Sequence, residues 1–386
     1  MLNGSLWLRG FRPFFAGASL HAIVAMALWL GVYLYGHPLQ ATGISIFQWH
    51  AHEMIYGYSM AVIAGFLLTA AWNWTGLKTA SGGSLAWIFL PWVAARVLML
   101  GGTGQLAWAA AADLLFMLGL LLAVSRPIVK TRQVRQVPVL LIIALLMAGN
   151  AIYYAGAADL TGVDPDIGIY SGLYLVLGMV LFMGRRVIPF FTSRGVGYDI
   201  ELKNSHWNDW ATIVVYPAFM VSEVLLPGHR SGALLAGVLF VLNSIRVHGW
   251  YTLGIWQKPL LWSLFASFVM INLGFLMRML AAVTAVDGLL PIHAYAVGGI
   301  GIVTLSMMVR VTLGHTGRNV HQAPPITTIL LGGMGLTALI RVLMPLMDPL
   351  HHRLWIAISG VTWILSFLVF AVLFIPMLVS KRADGK

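Results

Sequence analysis

The residue types able to do chemistry in this chain are few, and they gather at a handful of places. Trp-His-Ala-His-Glu-Met (Trp49 to Met54) sets two imidazoles beside a carboxylate, and Ile-His-Ala-Tyr (Ile292 to Tyr295) adds a third imidazole, His293. Arg96, Arg278 and Arg341 each interrupt an apolar stretch. The chain has no cysteine. That excludes disulfides, thiolate-ligated haem, C-x-x-C-H haem attachment, iron–sulfur clusters and cysteine-bound copper. A metal here must be held by His, Met or carboxylate. Imidazole suits haem iron and copper alike, and the propionates of a haem pair with arginine through charge-assisted hydrogen bonds.

The elements that must carry these residues are membrane helices. Of 386 residues, 60% are hydrophobic and only 9% charged, against about 25% charged in an ordinary soluble domain. So few charges cannot cover a soluble fold of this length. A span needs about 20 apolar residues. Such stretches recur at 14–35, 49–74, 84–102, 105–125, 137–158, 167–189, 207–226, 231–251, 259–282, 289–313, 325–347 and 353–379. The expectation is an all-α polytopic membrane protein of about twelve transmembrane helices, with residues 1–386 forming a single transmembrane domain. The first stretch is too long for a signal-peptide core and reads as an uncleaved helix.

Charge sets the orientation. With the N-terminus inside, eighteen Lys and Arg fall on the inner side, from Arg9 and Arg12 through Arg185, Arg186 and Arg246 to Lys386. The outer segments hold only Arg230 and Arg353, while Asp159, Asp164, Asp166, Asp287 and Asp348 all fall outside. This is a positive-inside bias. The net charge of +11 is therefore topological, and it gives nucleic-acid binding no support. The expected location is the bacterial inner (cytoplasmic) membrane, multi-pass in the lipid bilayer, with both termini cytoplasmic.

In that orientation Arg96, Arg278 and Arg341 (third, ninth and eleventh spans) lie in the outer half of the bilayer. His50, His52, Glu53, Glu223 and His293 share their depth. Each intramembrane arginine costs about 2.5–3.5 kcal/mol on insertion scales and needs an anion. Glu53 and Glu223 can serve two, and Asp113 lies deeper. The remainder points to a ligand bringing its own carboxylates, as haem does, or else to arginines that brace the helices as a scaffold. His50 and His52 sit about 200° apart around a helix, so one regular helix cannot aim both at one metal. The His50 face continues through Glu53, Gly57, Ala61 and Ala64, where low bulk admits a flat macrocycle or close helix packing. Imidazoles from the second and tenth spans at one depth match what two axial haem ligands require. His206, His248, His315 and His321 read as rim positions. An internal echo links these two spans: His50-Ala51 runs to Thr75-Gly76, and His293-Ala294 to Thr316-Gly317. Three units of four helices would fit it.

At these residues the chain resembles the NnrS proteins, bacterial membrane proteins associated with the nitric oxide response and described as containing haem and copper. The resemblance covers Phe-Arg-Pro-Phe-Phe (Phe11 to Phe15), Trp49 to Gly76, Gly-Arg-Arg-Val-Ile-Pro-Phe-Phe-Thr (Gly184 to Thr192), Pro-Leu-Leu-Trp (Pro259 to Trp262) and His293 to Arg318. It implies an integral inner-membrane haem protein, with copper as a second metal, acting on nitric oxide or a related small ligand in the nitrosative-stress response. It also implies His50, His52 and His293 as haem or copper ligands. Many members carry a His shortly after Pro-Leu-Leu-Trp; here that stretch reads Ser263-Leu264-Phe265-Ala266, so no ligand carries over there. The layout is also similar to subunit I of the haem–copper oxidases, but the sixth span has no His, so a three-histidine copper centre cannot be assembled from it. A nitric oxide reductase or other oxidoreductase is the enzymatic alternative, and it would need an electron donor and a second metal. A secondary transporter is the alternative from another class. Against it, the loop from Lys78 to Gly83 lacks the charged motif that major-facilitator transporters place after their second helix.

The charge distribution predicts that a reporter fused after Lys386 reads cytoplasmic and one inserted near Asp164 reads periplasmic. The opposite result at both sites would invert every depth given above.

Overall fold

The computed structural model describes residues 4–36, 44–160 and 162–385; Lys386 lies outside them. Among the described residues the chain is all-helical, with no strand. Twelve long helices follow one another: α1 (Phe11–Tyr35), α2 (Ile46–Thr75), α3 (Gly83–Leu98), α4 (Leu106–Lys130), α5 (Val137–Ala157), α6 (Pro165–Gly195), α7 (His206–Leu225), α8 (Arg230–Trp250), α9 (Pro259–Leu280), α10 (Leu289–His315), α11 (Ile326–Met347) and α12 (His352–Val379). Each matches an expected span to within a few residues at most ends. Ten of them are long and apolar enough to cross a membrane. The other two are α3, which has only 16 residues, and α7, whose apolar run is diluted by Asn208, Asp209, Thr212 and Glu223. The protein is an all-α polytopic membrane protein.

The helices group into two compact units. The first comprises Met1–Leu175, Met308–Arg318 and Phe367–Lys386; the second comprises Val176–Met307 and Asn319–Ser366. The grouping is twofold where the internal echo suggested three units. The echo survives in another form, because one copy of the His-Ala start falls in each unit.

In the first unit the Phe-Arg-Pro-Phe-Phe motif opens α1. Phe11, Phe14 and Phe15 are fully buried, and Phe14 meets Phe116 at 5.7 Å and Phe89 at 5.2 Å between ring centroids. Arg12 turns the other way and donates to the carbonyls of Leu378 and Ser380 at 2.6 and 2.7 Å. It thereby satisfies carbonyls that the end of α12 leaves without helical partners. In the second unit Phe219 of α7 packs edge-on to Phe275 of α9 at 5.5 Å, and Phe268 of α9 fills the space beside Gly184 and meets Trp250 at 5.1 Å.

Two helices depart from regular geometry. α2 is α-helical through His52, then widens into a π-helix over Glu53–Ser59. α10 does the same, with Leu289–His293 followed by a π-helix over Ala294–Gly301. The wider register shows in a side chain, since Ser59 donates to the carbonyl of Met54, five residues back, at 2.8 Å. π-Helical turns are rare and concentrate at functional sites. These are also the two most enclosed spans: 89% of the α2 window and 78% of the α10 window is buried. Polar residues on either helix therefore face protein, where each needs a partner.

Candidate functional site

In the first unit, a cluster of charged side chains surrounds the start of the α2 π-turn. Arg96 of α3 donates to Glu53 Oε1 at 2.5 Å through Nη1 and pairs with Asp113 of α4 through Nη2. Asp113 also accepts from the Tyr154 hydroxyl at 2.9 Å and from the Asn150 amide at 3.3 Å, both on α5. His21 of α1 lies 3.3 Å from Glu53 Oε2. Glu53 and Asp113 are 1% and 0% exposed, so neither carboxylate can rely on water.

His52 belongs to this cluster. Its Nδ1 lies 3.0 Å from Glu53 Oε1, and its Nε2 lies 2.9 Å from Asn150 Oδ1. The ring stacks on Tyr153 at 4.2 Å. Asn150 keeps its carbonyl toward His52 because its amide donates to Asp113. Both nitrogens of His52 thus face oxygens of the cluster.

His50 points elsewhere, as its spacing from His52 requires. Its ring stacks on Trp29 of α1 at 4.4 Å between centroids. The small-residue face beyond it holds no room for a macrocycle at Gly57. A Cβ there would lie 2.5 Å from His21 Nε2 and 2.9 Å from Arg96 Nη1. Gly57 is what lets the guanidinium and the imidazole reach Glu53, and the face serves packing around the ion cluster.

In the second unit, Arg278 of α9 grips Glu223 of α7. Its Nε lies 2.9 and 2.8 Å from the two carboxylate oxygens, and Nη2 donates to the His229 carbonyl at 3.1 Å. Gly232 of α8 makes the space, since a Cβ there would lie 1.9 Å from Glu223 Oε1. His293 and Arg341 form a separate pair. Arg341 Nη2 lies 3.0 Å from His293 Nε2, and His293 Nδ1 lies 2.7 Å from the Leu289 carbonyl. A guanidinium only donates and a carbonyl only accepts. His293 therefore carries its proton on Nδ1 and presents a lone pair on Nε2.

Of the six expected site residues, the fold joins His52 to Arg96 and His293 to Arg341, and it gives Arg278 to Glu223. Arg96 and Arg278 act through protein carboxylates, which is the scaffold arrangement. Asp113, expected to lie too deep, is the second anion for Arg96. His21, Asn150 and Tyr154 complete the cluster; Asn150 could have been suspected as an amide within an apolar span. Among the described residues, no group of three or more His, Asp or Glu is arranged to hold a metal ion.

Replacing Arg96 by Leu strands two buried carboxylates and a paired imidazole. Removing one partner of a buried pair costs about 3–5 kcal/mol, so the variant should show a marked drop in thermal midpoint in detergent. Adding Glu53→Gln and Asp113→Asn should recover part of it. Unchanged stability in Arg96→Leu would remove the cluster's structural role.

A family model described as "NnrS protein" matches residues 5–382, nearly the whole chain. No curated protein matches it. With an all-helical membrane fold, the His-bearing α2 and α10 and a match of that extent, the chain belongs to the NnrS family.

Proposed function

We propose that this membrane protein of the nitric oxide response binds haem through His293, with Arg341 as the partner of a haem propionate, and that His50 is the candidate ligand of the first unit. The observation that carries this reading is the set of contacts around His293. A ligating histidine characteristically donates its other ring N–H to a carbonyl or carboxylate, which fixes tautomer and orientation. His293 already donates from Nδ1 to Leu289, so Nε2, where Arg341 now lies at 3.0 Å, is the atom that would ligate. The residues present fit an imidazole-ligated haem in this respect: a neutral ring, a lone pair on Nε2, and an arginine within reach of it.

When bound, ferrous haem supplies an iron that takes up nitric oxide. The chain's part is to hold and orient. His293 offers the ligating nitrogen, and the π-turn after it gives that residue a backbone setting different from the regular helix below. Arg341 supplies a cation beside Nε2 and would swing to a carboxylate that approaches the same place. His52, held between Glu53 and Asn150, would act as a hydrogen-bonding partner within that cluster. Location in a bacterial inner membrane with both termini cytoplasmic rests on the charge distribution. A nitric oxide reductase remains the enzymatic alternative; it would require an electron donor and a second metal whose ligands the described residues do not group together.

Haem content per polypeptide, measured on purified variants, tests the assignment. His293→Ala should lose most of the haem, and His50→Ala should lower it. Arg341→Leu should shift the potential of the haem that remains, because one charge-assisted bond of about 1.5–3 kcal/mol is removed. His321→Ala should match the parent protein. Full haem with unchanged potential in both His293→Ala and Arg341→Leu would reject the site.

A further inference from the structure

The second unit also contains a polar cleft that the haem reading does not use. It has a volume of about 680 Å³ and lies where the end of α6, the segment 200–204 and the start of α7 meet. We infer that this cleft binds a phosphate group, with the headgroup phosphate of a membrane lipid as its natural source.

Its cationic wall is Arg185 and Arg186. Both guanidiniums lie over one ring, that of Phe182, at 5.3 and 4.8 Å from its centroid. Arg185 is fixed further by Asp209, whose Oδ2 accepts from its Nη1 at 3.0 Å. The other oxygen of Asp209 accepts from Arg246 at 3.0 Å. One carboxylate therefore orients two arginines while neutralising only one charge. Glu201 also lines the cleft, so the lining itself sets two guanidiniums against two carboxylates, and the excess positive charge comes from Arg246, which stands behind Asp209 outside the lining.

The neutral lining adds an amide donor. Asn204 accepts from the indole of Trp250 through Oδ1 at 2.9 Å, which leaves its NH2 to donate. Ser193, whose hydroxyl donates to the Phe190 carbonyl at 3.2 Å, and His206 complete the polar lining. Guanidinium and amide donors around one cavity are the chemistry that recognises phosphate.

The surroundings indicate where that phosphate comes from. Phe190 lines the cleft and is 49% exposed, and Trp207 and Trp210 beside His206 and Asp209 are 59% and 68% exposed. Exposed aromatic residues at the end of a membrane helix mark the headgroup level. This is also the end at which Arg185, Arg186, Arg194 and Lys203 collect, and basic pockets between membrane helices on that side take anionic headgroups.

Native mass spectrometry of the detergent-purified protein tests the inference with two lipids, phosphatidylglycerol and diacylglycerol, which lacks the phosphate. A parallel arm measures the thermal midpoint with inorganic phosphate against chloride at equal ionic strength. Two variants are compared with the parent. Arg186→Gln leaves the Asp209 contacts in place, and Ser193→Glu puts a carboxylate into the cleft at an exposed position. The parent should retain phosphatidylglycerol over diacylglycerol, and each variant that folds should lose about tenfold or more of that retention, as expected for one charge-assisted bond. Phosphatidylglycerol retention without a phosphate shift identifies the lipid as the source. A phosphate-specific shift, present in the parent and lost in the variants, identifies a soluble phosphate instead. Equal behaviour of parent and variants towards both probes, or equal shifts with phosphate and chloride, would overturn the inference.

Discussion

A charge placed inside a bilayer must find its counter-charge within the protein, and that constraint organises both units. Arg96 is held between Glu53 and Asp113, and Arg278 is held by Glu223. Each assembly draws on several helices: α2, α3, α4 and α5 in the first unit, and α7, α8 and α9 in the second. In each case a glycine gives the ions access, Gly57 beside Arg96 and Gly232 beside Glu223. Breaking one member strands the others, because no water replaces a missing partner at such burial. The ion pairs therefore fix helix register in a solvent where hydrophobicity alone does not discriminate between packings.

The histidines beside these ion pairs differ in their partners. His52 is absorbed into the first cluster by its contacts with Glu53 and Asn150, whereas His293 is left with a fixed tautomer and Nε2 as an acceptor. Two histidines that each stand at the start of a π-turn, His52 and His293, thus take different parts. The difference is the carboxylate that follows one and not the other. Both are followed by a π-turn, which re-aims the helix just beyond the histidine.

Much of this was legible in the sequence. Apolar runs located the twelve helices among the described residues, ten of which have the length and apolarity of a span. That Arg96, Arg278 and Arg341 would each need a counter-charge followed from their place within apolar stretches. Their partners did not, because pairing across helices is set by rotation about each helix axis, and a π-turn, bonded five residues apart instead of four, moves a side chain to another neighbour. Asp113 illustrates this: its place along α4 did not suggest a partnership with Arg96, yet Arg96 reaches both Glu53 and Asp113. The small face through Gly57, Ala61 and Ala64 was legible as low bulk, but low bulk does not say whether a ligand or a neighbouring side chain fills it. Here His21 and Arg96 do.

The most direct measurement is the absorption spectrum of the purified protein, taken oxidised, chemically reduced and reduced with nitric oxide. A haem Soret band that moves on reduction and again with nitric oxide is the predicted result. A colourless protein from haem-replete cells, folded and stable, would contradict the assignment of His293 as a haem ligand and return the whole polar interior to a structural role.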